Sequence, residues 1–462
     1  MPNLNDVQSK LNETFVSAIL TPSTFDEISR IIVDATTANR LVCPAGALHS
    51  MGGQQFVANG ISISSDALRG IGSLDRDARV IAVETGVRWP QLIDFLKGIQ
   101  ESDDAKLTIV QKQTGADDLT IGGAISSNIH GRVLGRQPIV ADIAGFNITT
   151  PEGVRLHCSR QENEDLFGLV IGGYGLFGFI DSVELRLTEN LKLRRHVAER
   201  SLEEVIPALE AYTEAGAQFG DFQYMTDESS SDFLRKGILS VYSPVAADEP
   251  IPFDQQFLSL EAWKKLFVLA HTDKRRAYEE YVGHYLTTDQ QLYWSDEHQL
   301  SPYLPGAGDM LFQQMGWQNY ASLMITELYV PRGRFVEFMG KTRRALLLEK
   351  ANVIYGTVRL IEPEHETYLN WARESYACVI FNLLVEHSPV GIESAQRQFQ
   401  KLIDCALEEN GSFYLTYHKW ARKDQIETAY PQFESFLAKK EAYDPHNTFS
   451  SEWYRHHVDL FS

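Results

Sequence analysis

Pro44-Ala-Gly-Ala-Leu-His-Ser-Met-Gly-Gly53 and Thr120-Ile-Gly-Gly-Ala-Ile-Ser-Ser-Asn-Ile-His-Gly131 decide how this 462-residue chain folds. Glycine lets backbone amides approach a ligand closely and adopt positive φ, which suits a loop that cradles a pyrophosphate. His49 sits inside the first loop, and His130 closes the second beside Asn128 and two serines. A polar cluster where an apolar strand would otherwise continue is typical of a ligand-facing turn. A third cluster, Ile171–Gly178, contains Gly173-Tyr-Gly-Leu-Phe-Gly178 and matches G-x-G-x-x-G. A nicotinamide-binding βαβ unit would need those glycines to open a helix and an acid about 20 residues on. Here they run into the alternating Phe179-Ile-Asp-Ser-Val-Glu-Leu-Arg-Leu187, and Lys192-Leu-Arg-Arg-His196 offers no acid. The third cluster is read as a tight turn between strands.

Working outward, Thr21-Pro-Ser-Thr-Phe-Asp-Glu predicts a helix start capped by Ser23 or Thr24, with Phe25, Ile28, Ile31, Ile32 and Ala35 on one face. Leu41–Cys43 and Val80–Thr85 read as strands, and Trp89 opens a helix with Pro90 in its first turn. Short strands and helices mix to about Leu187 without regular βαβ alternation, which predicts an α+β fold. Beyond Asn190 the glycine density falls. Helices at Glu203–Ala215, Arg334–Glu349 and Gly391–Glu408 alternate with strands at Phe222–Thr226, Leu323–Val330, Val353–Leu360 and Cys378–Val385. Polar loops are expected at Thr226–Asp232 and Ser301–Gly308. The order suggests a second layered unit, a sheet covered by helices.

The formal net charge of −20 argues against nucleic acid as a partner, because phosphate binding rests on clustered Lys and Arg. No apolar run approaches the roughly 20 residues of a membrane span, and no secretory signal is visible at the N-terminus. The expected location is cytoplasmic. Cys43, Cys158, Cys378 and Cys405 are scattered, with no C-x-x-C pair, and read as reduced, mostly buried thiols. His456 and His457 are adjacent, so on a strand they would point to opposite faces and not share a metal. No metal is expected.

Residues 44–54 resemble the pyrophosphate loop of the vanillyl-alcohol-oxidase superfamily, whose FAD domain is also called the PCMH type. Residues 120–131 resemble its second FAD segment, in the form found in aldonolactone, alditol and decaprenylphosphoryl-ribose oxidases. Glu164-Asp-Leu-Phe-Gly168 and Gly172–Gly178 look like its third element. Tyr443-Asp-Pro-His-Asn-Thr-Phe-Ser-Ser-Glu-Trp453 is similar to its closing segment, which returns to the flavin. The resemblance implies a two-subdomain FAD-binding domain over residues 1–190, a substrate or cap domain over 191–413, and a returning segment over 414–462.

The resemblance also implies the cofactor, FAD, and its ligands. Gly46, Ala47, Leu48, Ser50, Met51, Gly52 and Gly53 match the phosphate loop, and His49 matches the position that many members bond to the flavin 8α-methyl carbon. Other members carry a non-bonding residue there and hold FAD reversibly. The Gln113–Leu119 stretch has no Cys, so at most one covalent link is expected. Thr114, Gly115, Gly122, Gly123, Ser126, Ser127, Asn128, His130, Gly131, Gly178 and Ile180 match segments lining the pyrophosphate and isoalloxazine. Whether His130 meets substrate or flavin alone stays open at this point.

The substrate side rests on Thr326–Arg332 and Tyr355–Arg359, which look like strands that point polar residues at the flavin in sugar- and polyol-oxidising relatives. Alternation puts Tyr355, Thr357 and Arg359 on one face. Glu327, Tyr355 and Arg359 are candidate catalytic residues. Tyr414–Trp420 resembles a C-terminal strand reaching a Lys toward the flavin; Tyr417, His418 and Lys419 compete, with His418 and Lys419 favoured. The implied activity is an FAD-linked oxidation of a CH–OH group in a sugar, polyol or similar small substrate, with oxygen or another acceptor. An amine-oxidising relative of the cytokinin dehydrogenase kind and a non-catalytic flavin-binding protein are the alternatives.

Overall fold

The computed structural model describes every residue except Asp104, Pro302, Tyr303 and Pro305, so part of the Ser301–Gly308 loop lies outside the described residues. The fold is α+β, with its larger strands gathered in three sheets. The first is a small parallel sheet in which Ile61–Ser64 lies between Ala18–Leu20 and Val42–Ala45. Helix Phe25–Thr37 packs its Ile28, Ile32 and Ala35 stripe into the same core, capped by the Thr24 hydroxyl accepting from the Glu27 amide.

The second sheet is antiparallel and runs Arg155–Ser159, Ile143–Thr149, Phe179–Glu189, Val80–Glu84, Ile71–Asp75, with Leu107–Ile109 on the far end of Phe179–Glu189. Gly178 delivers the chain into this sheet. Its φ is +148°, and a Cβ there would stand 2.5 Å from the Thr149 carbonyl oxygen, so only glycine fits. The G-x-G-x-x-G cluster is thus a turn, but it joins helix Glu164–Val170 to a strand and not two strands. Gly122 makes a comparable close approach: a Cβ would meet Thr85 Oγ1 at 1.6 Å, so glycine alone lets the second FAD segment settle on the end of strand Val80–Glu84.

The third sheet has eight strands, in the order Leu292–Trp294, Lys192–Ser201, Lys236–Pro244, Phe219–Tyr224, Val353–Ile361, Tyr376–Glu386, Ala321–Pro331, Ser412–Phe413. Helices Phe335–Leu348 and Pro389–Leu407 pack together beside it, Leu202–Glu214 packs on its strands, and Lys274–Thr287 reaches Lys192–Ser201. Strands Phe179–Glu189 and Lys192–Ser201, on either side of Asn190, belong to different sheets.

The tail comes back to the first sheet. Phe449 bridges Val42 in parallel, the Val42 amide donates to the Thr448 carbonyl (2.7 Å), and the Glu452 amide donates to the Phe56 carbonyl (2.7 Å). Residues 452–461 are helix, not strand. His457 therefore faces Trp453, its Nδ1 2.7 Å from the Trp453 carbonyl, whereas His456 points elsewhere on the helix surface. Among the described residues no helix is long and apolar enough to cross a membrane.

Candidate active site

One cavity of about 1350 Å³ is walled on one side by the glycine-rich segments and on the other by the eight-stranded sheet. Single small-molecule pockets run to about 300–1,000 Å³, so this one is larger than one small ligand requires. Of the residues expected to bind FAD, Gly46, Ala47, Leu48, His49, Ser50, Met51, Thr114, Gly115, Gly122, Gly123, Ser126, Ser127, His130, Gly178 and Ile180 line it. Gly52, Gly53, Asn128 and Gly131 do not. They shape the loops from behind. Asn128, at φ +45°, accepts from the Val140 amide and reaches Glu364 and Thr367 with its amide group. The Gly52 amide donates to Gln54 Oε1, and the Gly131 amide to Gln111 Oε1.

The His49 loop is held by side chains outside it. Gln55 donates to the Ser50 carbonyl (2.7 Å), Asn12 to the Met51 carbonyl (2.7 Å) and Gln54 to the Thr416 carbonyl (2.8 Å). His49 Nε2 stands 2.9 Å from Asp118 Oδ1, and His49 itself lines the cavity.

The sheet's inner face carries the polar row. Register places Glu327, Ile380 and Thr357 side by side across three strands, with Ile325, Asn382 and Tyr355 on one side and Tyr329, Cys378 and Arg359 on the other. Directly opposed residues share a face, and Glu327, Tyr355, Thr357 and Arg359 all reach the cavity. Glu327 is the hub. Its Oε2 accepts from Tyr329 (2.9 Å) and lies 3.0 Å from His130 Nε2, and its Oε1 accepts from Tyr417 (3.1 Å). His130 Nδ1 is 3.0 Å from the Gly131 carbonyl oxygen. Both ring nitrogens thus face acceptor oxygens. Burial works to raise the Glu327 carboxyl, but His130 and Arg359 outweigh it and hold the group below the usual carboxylate range. Cys378 Sγ lies 3.8 Å from His130 Nε2. The three side chains converge closely enough to suit a metal, but the carboxylate oxygens are already engaged by the imidazole and two phenols.

Two favoured residues are not brought to this cavity. The strand expected at Tyr414–Trp420 ends at Phe413. After the Tyr414 amide donates to the Glu327 carbonyl (3.0 Å) the chain turns, so alternation no longer sets the side-chain directions. Tyr414, Thr416 and Tyr417 face the cavity, while His418 and Lys419 do not. His418 packs between Phe399 and Trp420, and burial pushes its imidazole down to about 3. Lys419 lies toward Glu452 and His456, with burial lowering its ammonium. Of the three competitors, Tyr417 is the one beside Glu327. Sequence reasoning also passed over Arg132, two residues beyond His130, and Arg195, inside the stretch noted only for lacking an acid; both line the cavity.

Residues 16–159 match the family described as the FAD binding domain. This stretch is an FAD-binding domain of the PCMH type, and FAD is its cofactor. Over 172 residues the chain is 29% identical to cytokinin dehydrogenase 2 of Arabidopsis thaliana, a match covering 37% of this chain and 33% of that protein. Over 184 residues it is 26% identical to mitochondrial L-galactono-1,4-lactone dehydrogenase of Brassica oleracea, covering 40% of this chain and 29% of the relative. The chain thus matches about a third of the length of these curated relatives.

Proposed function

We propose that this chain is an FAD-dependent oxidoreductase that oxidises a CH–OH group of a sugar, polyol or related small hydroxylated substrate. Residues 1–190 would hold the cofactor, 191–413 the substrate, and 414–462 would return to the first unit. The observation that carries the reading is the Glu327 hub, a buried carboxylate set against Arg359 on the wall facing the flavin segments. Bound FAD supplies the hydride acceptor for this chemistry. The protein's part is to hold the substrate hydroxyl, to take its proton at Glu327, directly or through the Tyr417 hydroxyl, and to oppose developing negative charge with Arg359. Tyr355 and Thr357 are placed to hydrogen-bond further hydroxyls. His418 and Lys419 act, on this reading, through packing and not through the substrate.

The amine reading keeps two supporting observations. A buried carboxylate kept ionised would also serve an amine donor, and cytokinin dehydrogenases are among the relatives. Anaerobic mixing of the holoenzyme with polyols, aldonolactones and secondary amines separates the two. Flavin bleaching by hydroxylated donors is the expected result, bleaching by amines alone would replace the reading, and no bleaching by any class would leave a flavin-binding protein without turnover. We place the protein in the cytoplasm, which cell fractionation tests; one relative is named as mitochondrial.

Covalent attachment through His49 belongs to the same proposal. After acid precipitation, yellow colour is expected to stay with the polypeptide and to move to the supernatant in His49→Ala. Colour in the supernatant of the unmodified protein would remove the covalent link and leave FAD binding intact.

A further inference from the structure

Beyond Tyr355, at one end of the Glu327 row, the cavity is lined by a group of aromatic rings around two arginines. Arg195 lies on strand Lys192–Ser201 directly opposite Tyr242 on Lys236–Pro244, and the next inward pair along that strand is Val197 and Ser240. Its guanidinium stacks on Tyr285, 4.2 Å from the ring centre, and on Tyr242 at 5.4 Å, and donates to Ser240 Oγ (3.0 Å). The residue is only 6% exposed. Among the described residues it makes no ion pair with a carboxylate, and its Nε has no hydrogen-bond partner. Arg132 also approaches the Tyr242 ring, at 5.8 Å from its centre, and its Nε is likewise unpartnered. The acid nearest this pair is Asp221, whose Oδ1 is 3.7 Å from Arg132 and whose Oδ2 accepts from Gln223. His298, packed on Tyr242, adds no charge, since burial and the two arginines push its imidazole well down.

Two guanidiniums with one loosely placed carboxylate leave a positive charge out of water, which is costly unless a counter-ion arrives. Tyrosine faces beside Arg195 favour a cation there but do not use its in-plane N–H donors, which match a carboxylate or phosphate fork. We infer that Arg195 and Arg132 form an anion subsite of this cavity, which receives a carboxylate or phosphate at the end of the substrate remote from the oxidised carbon. The inference rests on the oxidoreductase reading only in making that anion part of a substrate.

Calorimetric titration of the FAD-loaded protein with benzoate, phenyl phosphate and the neutral isostere benzamide tests it without turnover. At least one anion is expected to bind more than about tenfold tighter than benzamide, and which one does so tells a carboxylate subsite from a phosphate one. The preference is expected to vanish in Arg195→Met and to be reduced in Arg195→Lys, with flavin content and visible spectrum unchanged as evidence of folding. Equal binding of anions and benzamide overturns the subsite. So does a preference that survives Arg195→Met and is lost in Arg359→Met, which would put the anion at the flavin end. A preference dependent on Arg195 in a protein whose flavin no donor reduces keeps the subsite and removes the oxidoreductase reading.

Discussion

Glu327→Gln is expected to keep its FAD and to lose about 10²–10⁴-fold in the anaerobic rate of flavin bleaching, the usual contribution of a positioned base. The substitution preserves shape, removes the charge and the ability to take a proton, and replaces one acceptor oxygen by a donor. Partners of the carboxylate, His130, Tyr329 and Tyr417, each keep a heavy atom to meet. The pH dependence has a definite sign. The base works when deprotonated, and its carboxyl lies below the ordinary range. The rate is therefore expected to be level, with respect to this group, through neutral pH and to fall only on the acid side of that range. Stopped-flow traces with a saturating hydroxylated donor measure both. A loss of less than threefold would take Glu327 out of the reaction and leave it a structural acceptor.

Asp444→Asn is expected to cost about 3–5 kcal/mol of stability, the typical penalty for breaking a buried ion pair from one side. Lys440 and Asp444 pair at 2.7 Å with both side chains fully buried. Asp444 also accepts from the amides of Thr448 (2.9 Å) and Phe449 (2.8 Å), which sets the turn into the returning tail. Asparagine leaves the ammonium without its counter-charge and replaces one acceptor by a donor. Urea unfolding followed by flavin fluorescence should show a lower midpoint, and adding Lys440→Met to Asp444→Asn should recover much of the loss by removing the stranded charge. A single-variant loss under about 1 kcal/mol would mean that water reaches the pair.

The first 190 residues were legible because their constraints are local. Helix Phe25–Thr37 is written in its cap and apolar stripe, and the glycine segments declare a close backbone approach wherever they sit. The strands at 321–331, 353–361 and 376–386 were legible from β-branched and aromatic runs, and alternation alone put Tyr355, Thr357 and Arg359 together. What could not be read was pairing across distance. No local pattern brings His130 to Glu327, 197 positions on. At Tyr414–Trp420 the aromatic run resembled a strand, and only the end of pairing at Phe413 turns Tyr417 inward and His418 into the core. Arg195 was invisible for a related reason: its lack of a counter-ion is a property of neighbouring strands and a helix.

The bridge between Val42 and Phe449 bears on how the protein is made. A ribosome releases the His49 loop long before the backbone that closes the sheet beneath it, which lies at Phe449. Until residues 448–452 emerge, Val42 and Phe56 lack the partners that meet their main-chain groups. The His49 cradle is therefore completed by a long-range closure, the kind of contact that forms late in folding because a long loop must be closed first.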